Sequence, residues 1–157
     1  MNVNATISAN DLADYLLHKV RSAGDSLTNL KLQKLAYYAQ AWRMALRGAP
    51  LIAEPFEAWV HGPVCPPLYH RFKSYGWNPI DEVVQKPDMA PEVQAHLNDV
   101  LETYGGFSAW ELERLVHTEA PWIDVRHGLP VDAPSTEEIP LESMRKYYAS
   151  KLDGTQA

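Results

Sequence analysis

Cysteine is almost absent from this chain, and no run of apolar residues is long. Because Cys65 is the single cysteine among 157 residues, no disulfide can form within the chain, which is typical of a reducing compartment. No apolar run approaches the roughly 20 residues that a membrane-spanning helix needs, so the sequence predicts no integral membrane protein. No basic segment followed by an apolar stretch opens the chain, and we therefore expect a cytoplasmic location.

Motifs that mark cofactor and metal sites are also missing. The sequence has no G-x-G-x-x-G, no P-loop and no G-x-S-x-G, so it predicts neither a phosphate cradle nor a nucleophile elbow. None of its six histidines belongs to the paired C-x-x-C or H-x-x-x-H spacings that are usual in zinc sites. We expect no cofactor and no bound metal.

One catalytic alternative comes from the remaining nucleophile. His61, Cys65 and His117 could form the site of a small hydrolase-like enzyme, but only if tertiary contacts bring them around one pocket. A lone thiol is more often a small buried apolar group, and we favour that interpretation of Cys65. The prediction is a protein without enzymatic activity.

A carboxylate-rich stretch contains Glu111, Glu113, Glu119 and Asp124, and it is a second candidate for acid–base chemistry. Glu111 has a structural role instead, because Ser108 and Glu111 have the spacing of a capping box at the start of a helix. Glu113 falls on the polar face of the same helix. We interpret the whole stretch as a solvated face.

The formal net charge of −6 is unevenly distributed along the chain. Residues 1–74 contain eight Lys and Arg against five Asp and Glu, whereas residues 75–157 contain six against fifteen. An acidic half repels phosphate backbones and attracts basic protein surfaces. Nucleic acid is therefore disfavoured as a partner, although the milder N-terminal half leaves a DNA-binding autoregulator as an alternative.

Apolar periodicity predicts a mainly α fold, a single compact helical domain over residues 1–157 with about six to seven helices. A short β-strand or a two-stranded ribbon is predicted near residues 51–61, where apolar and other residues alternate, with a turn after it. We expect residues 1–9 to fray and residues 153–157 to form a tail.

Two of the predicted helices have distinct apolar stripes. The central helix is predicted from Thr28 to about Arg47, and its stripe consists of residues spaced three and four apart: Leu32, Leu35, Ala39, Trp42 and Leu46. The last helix begins at Pro140, and its predicted inward side chains are Leu141, Met144, Tyr148 and Leu152. These stripes predict which side chains form the core.

Five tryptophans and eight tyrosines provide candidate binding residues, because aromatic side chains dominate both cores and binding hot spots. Trp59 alternates with Val60 on the predicted strand, so one of the two faces away from the core. Trp77 lies on an extended connection. We predict that Trp59 and Trp77 are surface anchors for a partner, together with His61 and Tyr69, which flank the same turn.

The most distinctive stretch of the sequence is residues 27–42, which read LTNLKLQKLAYYAQAW. Further groups follow it in a fixed order: Pro50-Leu51, Glu57-Ala58-Trp59, Gly62-Pro63-Val64, Pro66, Tyr69, Phe72-Lys73, Tyr75-Gly76, Leu115, His117-Thr118-Glu119, Pro121-Trp122 and Tyr147-Tyr148. Over residues 10–150 this pattern resembles the Panacea domain of SocA-like antitoxins and phage-associated proteins.

The resemblance implies a protein partner and not a substrate. It implies an antitoxin that neutralises a cognate protein toxin by direct binding, and an adaptor that can deliver the toxin to an ATP-dependent protease such as ClpXP. Ala36 stands where the family usually has a larger aliphatic residue, so the packing there must be compensated by neighbours. Cys65 also replaces an aliphatic residue, which argues against a thiol mechanism. The resemblance supplies no catalytic residue and no toxin contact.

Overall fold

Seven α-helices make up most of residues 5–154, the part of the chain that the computed structural model describes. In chain order they are α1 (Ala9–Ser22), α2 (Asn29–Arg47), α3 (Pro66–Phe72), α4 (Pro91–Tyr104), α5 (Ala109–Val116), α6 (Ala120–Val125) and α7 (Leu141–Gly154). Two short strands, β1 (Glu57–Trp59) and β2 (Gly62–Val64), pair as an antiparallel ribbon, and a 3₁₀ turn (Lys73–Tyr75) follows α3. The predicted mainly α class is confirmed.

The helix α2 is the centre of the fold, and it packs against α1, α3, α4, α5, α7 and β2. Its predicted bounds are confirmed to within one residue. The Thr28 hydroxyl accepts the backbone N–H of Lys31 at 3.2 Å, and Gly48 ends the helix with a left-handed φ of 69°. Because neighbours surround α2, it is buried on almost every side from Leu32 to Ala41.

The predicted apolar stripes are wrong at their ends. Leu46 is 54% exposed, because the last turn of α2 reaches the surface, and Trp42 is only half-buried, although its indole packs on the core. In α7, Met144 and Tyr148 are buried as predicted. Two side chains predicted to face inward are more than a third exposed, because only the middle of α7 is covered by the core: Leu141 and Leu152.

The ribbon includes residues that were predicted to form a turn. Trp59 pairs with Gly62 beside the turn, and Glu57 pairs with Val64 at the open end. The turn itself is Val60–His61, and Gly62 begins β2 with a φ of 118°, a conformation that favours glycine. The short strand predicted near residues 51–61 is thus confirmed at β1, and β2 follows it.

The two ends of the described chain differ from the expected frayed segment and tail. Thr6 and Ile7 donate their backbone N–H groups to the Leu51 carbonyl at 2.9 and 3.0 Å, so this part of the N-terminal segment is paired. The helix α7 continues to Gly154, which lies within the predicted tail. The rest of both predictions, residues 1–4 and 155–157, lies outside the described residues.

Candidate partner-binding cleft

Side-chain amides on α2 bind the backbone of the segment that leads into and out of the ribbon. Gln40 Oε1 accepts the N–H groups of Leu51 and Ile52 at 2.7 and 3.0 Å, and Gln40 Nε2 donates to the Ile52 carbonyl at 2.9 Å. All three residues are buried, so these bonds satisfy groups that water cannot reach. They fix the chain before β1.

Two more amides on α2 fix the chain after β2. Gln33 Oε1 accepts the N–H of Cys65 at 2.9 Å, and Gln33 Nε2 donates to Asn29 Oδ1 at the same distance. Asn29 Nδ2 in turn donates to the Tyr69 carbonyl at 3.1 Å. These polar residues of the distinctive stretch therefore hold the backbone on both sides of the ribbon in place.

Side chains from the second half of the chain also bind the ribbon. Three consecutive carbonyls accept from them, those of residues 58–60 at the end of β1 and in the turn after it. They accept from Arg126 at 3.0 Å, from Trp122 Nε1 at 2.8 Å and from His117 Nε2 at 2.8 Å, respectively. Burial lowers the pKa of His117, so the neutral ring carries its proton on Nε2, towards the carbonyl. His117 and Trp122, which belong to the sequence pattern, thus position the ribbon together with Arg126.

Arg126 also binds the loop that follows α6. Its Nη2 donates to the carbonyls of Pro130 and Ala133, and its guanidinium lies 4.4 Å from the centre of the Trp122 ring. Arg126 is only 2% exposed, so carbonyl oxygens take the place of water around a buried cation. One side chain therefore fixes both β1 and the loop next to residues 134–136.

Between the ribbon, α2, α3 with its 3₁₀ turn and residues 134–136 lies an open cleft of about 490 Å³. The four residues predicted as partner contacts all line it: Trp59, His61, Tyr69 and Trp77. The remaining wall combines polar side chains with apolar ones, including those of Leu30, Val60 and Val64. The structure brings the four together, and their contact with a partner stays a prediction.

Trp59 and Tyr69 form an edge-to-face pair in the wall of the cleft. Their ring centroids are 4.9 Å apart at an interplanar angle of 61°, a favourable aromatic geometry. Trp59 Nε1 donates to Glu57 Oε1 at 2.7 Å, which fixes the orientation of the indole. Trp59 is half-buried, so part of its ring is available at the cleft.

Trp77 and His61 lie at the rim. Trp77 is 77% exposed, the most exposed aromatic side chain among the described residues. Its position follows from the next few residues, because Ile80 N donates to the Leu27 carbonyl at 2.8 Å and thus fixes this connection beside the start of α2. His61 is exposed, and its Nδ1 lies 3.2 Å from the carboxylate of Glu113.

Several lining residues were not predicted from the sequence as partner contacts. Lys73 lies in the 3₁₀ turn, and it was noted only as part of the sequence pattern. Asn29 and Gln33 line the floor from α2, and residues 134–136 come from a loop without any motif. For the loop, no local signal exists, because long-range bonds bring it to the cleft: those of Arg126, and those that pair residues 137–139 with the backbone of residues 56–58.

The thiol-based catalytic alternative gains no support from the geometry. Cys65 is fully buried, and burial raises its pKa to about 12, so the thiol is protonated at neutral pH. Nε2 of His117 already donates to the Val60 carbonyl, and His61 lies beside Glu113 at the surface. This observation matches the interpretation of Cys65 as a small buried apolar group.

The interpretation of the carboxylate stretch as solvated is wrong for Glu119. This side chain is 6% exposed, and its Oε1 accepts the hydroxyls of Tyr38 and Tyr148, each at 2.8 Å. Burial raises the pKa of Glu119. For Glu111 the capping box is confirmed, with both of its hydrogen bonds to Ser108 present.

Two further features are absent from residues 5–154, the described part of the chain. No group of three or more His, Cys, Asp and Glu side chains in that part of the chain is arranged to bind a metal ion. No helix there is both long enough and apolar enough to cross a membrane.

The model of the family described as "Antitoxin SocA-like, Panacea domain" matches residues 32–123, more than half of the chain. The chain belongs to this family. The matched range runs from α2 into α6, and it includes the ribbon, both predicted tryptophan anchors, His117 and Trp122. It ends before Arg126, so the loop contacts of that residue lie outside the matched range.

A curated relative is similar over most of the chain. Antitoxin SocA of Caulobacter vibrioides (strain NA1000 / CB15N) is 29% identical over 136 residues, which cover 78% of this chain and 72% of the relative. No solved structure matches this chain. The similarity supports an antitoxin-like function, it implies a toxin as partner, and it suggests a non-catalytic protein.

Proposed function

We propose that this chain is the antitoxin of a toxin–antitoxin pair and neutralises its cognate protein toxin in the cytoplasm by direct binding at the cleft. The observation that carries the proposal is the position of Trp59, Tyr69 and the 77% exposed Trp77 around one cleft. Tryptophan and tyrosine at the centre of an interface contribute the largest share of binding free energy.

The cleft is also suited to binding because its walls are already fixed. Buried and part-buried hydrogen bonds from α2, His117, Trp122 and Arg126 bind the backbone on both sides of Trp59. A surface that is rigid before binding loses little conformational entropy in the complex. For these reasons we favour a preformed binding surface over one that folds on contact with the toxin.

The test is co-expression with the product of the neighbouring gene. We expect the chain to restore growth and to co-purify with that product. Trp77→Ala should weaken the complex by about 2 kcal/mol or more, which is roughly 30-fold in Kd. Trp110→Ala is the matched control, because Trp110 is 63% exposed and does not line the cleft.

Two outcomes would count against the proposal in different ways. If the chain neither restores growth nor forms a complex, the antitoxin function is wrong. If Trp77→Ala and Trp110→Ala weaken the complex equally, the function stands but the cleft is not the binding surface. Calorimetry of the purified pairs measures both affinities.

From the family resemblance we also propose that the bound toxin is delivered to an ATP-dependent protease of the ClpXP type. In a strain that contains the protease, co-expression should shorten the lifetime of the toxin. In a strain without the protease, the lifetime should stay unchanged while growth rescue shows whether binding alone neutralises. A toxin lifetime that is the same in both strains would exclude delivery.

A further inference from the structure

The cleft contains one formal charge. Among the described residues that line it, Lys73 alone is charged at neutral pH when histidine is counted as neutral. Lys73 is exposed, and its ammonium has no ion pair or hydrogen bond within the described part of the chain. The carboxylates next to the rim contact other side chains of the cleft, since Glu57 accepts from Trp59 and Glu113 lies beside His61. Lys73 is thus the charged side chain of the lining that a ligand can pair with, on a chain of net charge −6.

Next to this charge is the aromatic surface. Trp59 and Tyr69 form a fixed edge-to-face pair, and Trp77 is exposed at the rim. The volume of about 490 Å³ lies within the range of pockets that take small ligands, about 300–1,000 Å³. A space of this size and composition accommodates an apolar side chain with a short polar neighbour.

The form of the anionic group follows from the cation that would bind it. The ammonium of Lys73 is a flexible point charge, which suits a side-chain carboxylate. Terminal carboxylates of peptides are usually bound by free backbone N–H groups. At two lining residues near Lys73 these groups are engaged, since Tyr69 N donates to the Cys65 carbonyl at 2.9 Å and Gly76 N donates to the Lys73 carbonyl at 3.1 Å.

We propose that the cleft binds a segment of the partner protein in which an aromatic or aliphatic residue is adjacent to an Asp or Glu. The apolar side chain contacts Trp59, Tyr69 and Trp77, and the carboxylate pairs with the ammonium of Lys73. That the partner is a toxin rests on the proposed function, whereas the ligand chemistry is tested without any toxin.

The probe is 3-phenylpropionate, compared with its neutral isostere 3-phenylpropionamide. Binding is followed by the indole N–H signals of the ¹⁵N-labelled full chain, with Trp59 and Trp77 assigned through their Phe variants. We expect these two signals to shift, with a Kd of roughly 1 to 10 mM for a fragment of this size. The acid should bind roughly two- to five-fold more tightly than the amide, the range of an exposed ion pair, and salt should reduce the difference.

The variants make the assignment specific. Lys73→Met should abolish the preference for the acid, whereas Lys86→Met should keep it, because Lys86 is exposed and does not line the cleft. Equal binding of acid and amide, a preference that survives Lys73→Met, or no shift at Trp59 and Trp77 up to about 20 mM would each overturn the proposal.

A second measurement separates this proposal from the antitoxin function. In the complex with the toxin, Lys73→Glu should weaken binding by roughly ten-fold, because it replaces an attraction by a repulsion, and Lys86→Glu should not. If Lys73→Glu still neutralises with unchanged affinity and the fragments show no preference, the ligand chemistry is wrong and the antitoxin function stands. If the fragments show the preference but no toxin complex forms, the antitoxin function is wrong.

Discussion

His117 and Trp122 stack with ring centroids 4.1 Å apart and an angle of 23° between their planes, and each donates a ring N–H to the ribbon, at the end of β1 and in the turn after it. The acceptors are the neighbouring carbonyls of Val60 and Trp59, both at 2.8 Å. The pair therefore fixes the backbone beneath one wall of the cleft. It explains what His117 and Trp122 do without any catalytic role.

The hydrogen bond from Trp122 can be removed without removing the ring. Trp122→Phe removes the indole donor from the part-buried Trp59 carbonyl, and we expect the free energy of unfolding to fall by about 1–2 kcal/mol. Urea unfolding measures the change. Trp110→Phe, at an exposed position, should stay within about 0.5 kcal/mol of the unsubstituted protein. Equal effects of the two substitutions would contradict this role.

Arg126 should be more sensitive than Trp122, because one buried carbonyl and two part-buried ones accept from it. Arg126→Met leaves the carbonyls of Ala58 and Ala133 without this donor and leaves Pro130 only the N–H of Ala133, and we expect a loss of about 3 kcal/mol or more in unfolding free energy. Arg126→Lys should lie in between, since an ammonium has three donors and cannot span the same acceptors. Chemical denaturation measures all variants.

The control for Arg126 is Arg114→Met. Arg114 is exposed and its guanidinium lies over the Trp110 ring, 4.9 Å from its centre, so the same change of side chain occurs at the surface. We expect a change of less than about 1 kcal/mol. A loss at Arg126 no larger than at Arg114 would show that the loop does not need the carbonyl contacts.

The buried Glu119 predicts a stability that depends on pH. Its pKa is raised by burial above the ordinary value of 4.5, so the folded chain binds a proton more tightly than the unfolded chain. The contribution of the protonated Glu119 to the free energy of unfolding is therefore complete below pH 4.5, the ordinary pKa. It is lost as the pH rises from there through the higher pKa that Glu119 has in the folded chain. Glu119→Gln removes this dependence, so its stability relative to the unsubstituted protein should improve as the pH rises.

Urea unfolding from pH 4 to pH 8 measures the Glu119 effect. Glu102→Gln is the matched control at an exposed position, and it should keep the pH profile of the unsubstituted protein. A difference between the unsubstituted protein and Glu119→Gln that stays constant over this range would show that Glu119 has the same pKa in both states.

The thiol of Cys65 should be chemically inert in the folded protein. Because the side chain is fully buried and its pKa is about 12, iodoacetamide should label it only after unfolding. Cys65→Ala should cost about 1 kcal/mol of stability and leave toxin binding unchanged. Rapid labelling of the native chain, or a loss of binding without loss of stability, would restore the thiol-based alternative.

Elements with local signals were predicted well from the sequence. The bounds of α2 follow from the Thr28 cap and from Gly48, and the start of α5 follows from the capping box of Ser108 and Glu111. These signals work because the groups that interact lie within about four residues of one another. The same locality explains the errors at Leu46, since a helical stripe does not show where the neighbouring helices end.

Long-range contacts could not be predicted in this way. Glu119 lies in a stretch that reads as a solvated face, but its partners Tyr38 and Tyr148 are 81 and 29 residues away. Nothing in the sequence indicated that Lys73 lines the cleft, because the other lining residues come from distant parts of the chain. The four candidate contacts were selected for their chemistry, and their common cleft depends on bonds from α2 and α6 that no spacing reveals.

By itself the sequence determined the mainly helical class, the order of its elements and the family, because caps, periodicity and motif order are properties of nearby residues. Only the tertiary structure decided which polar groups are buried, which tryptophan is exposed and where the cleft lies. The physical reason is that burial depends on what packs against a side chain. In this protein the side chains that pack around the cleft come from parts of the chain up to about a hundred residues apart.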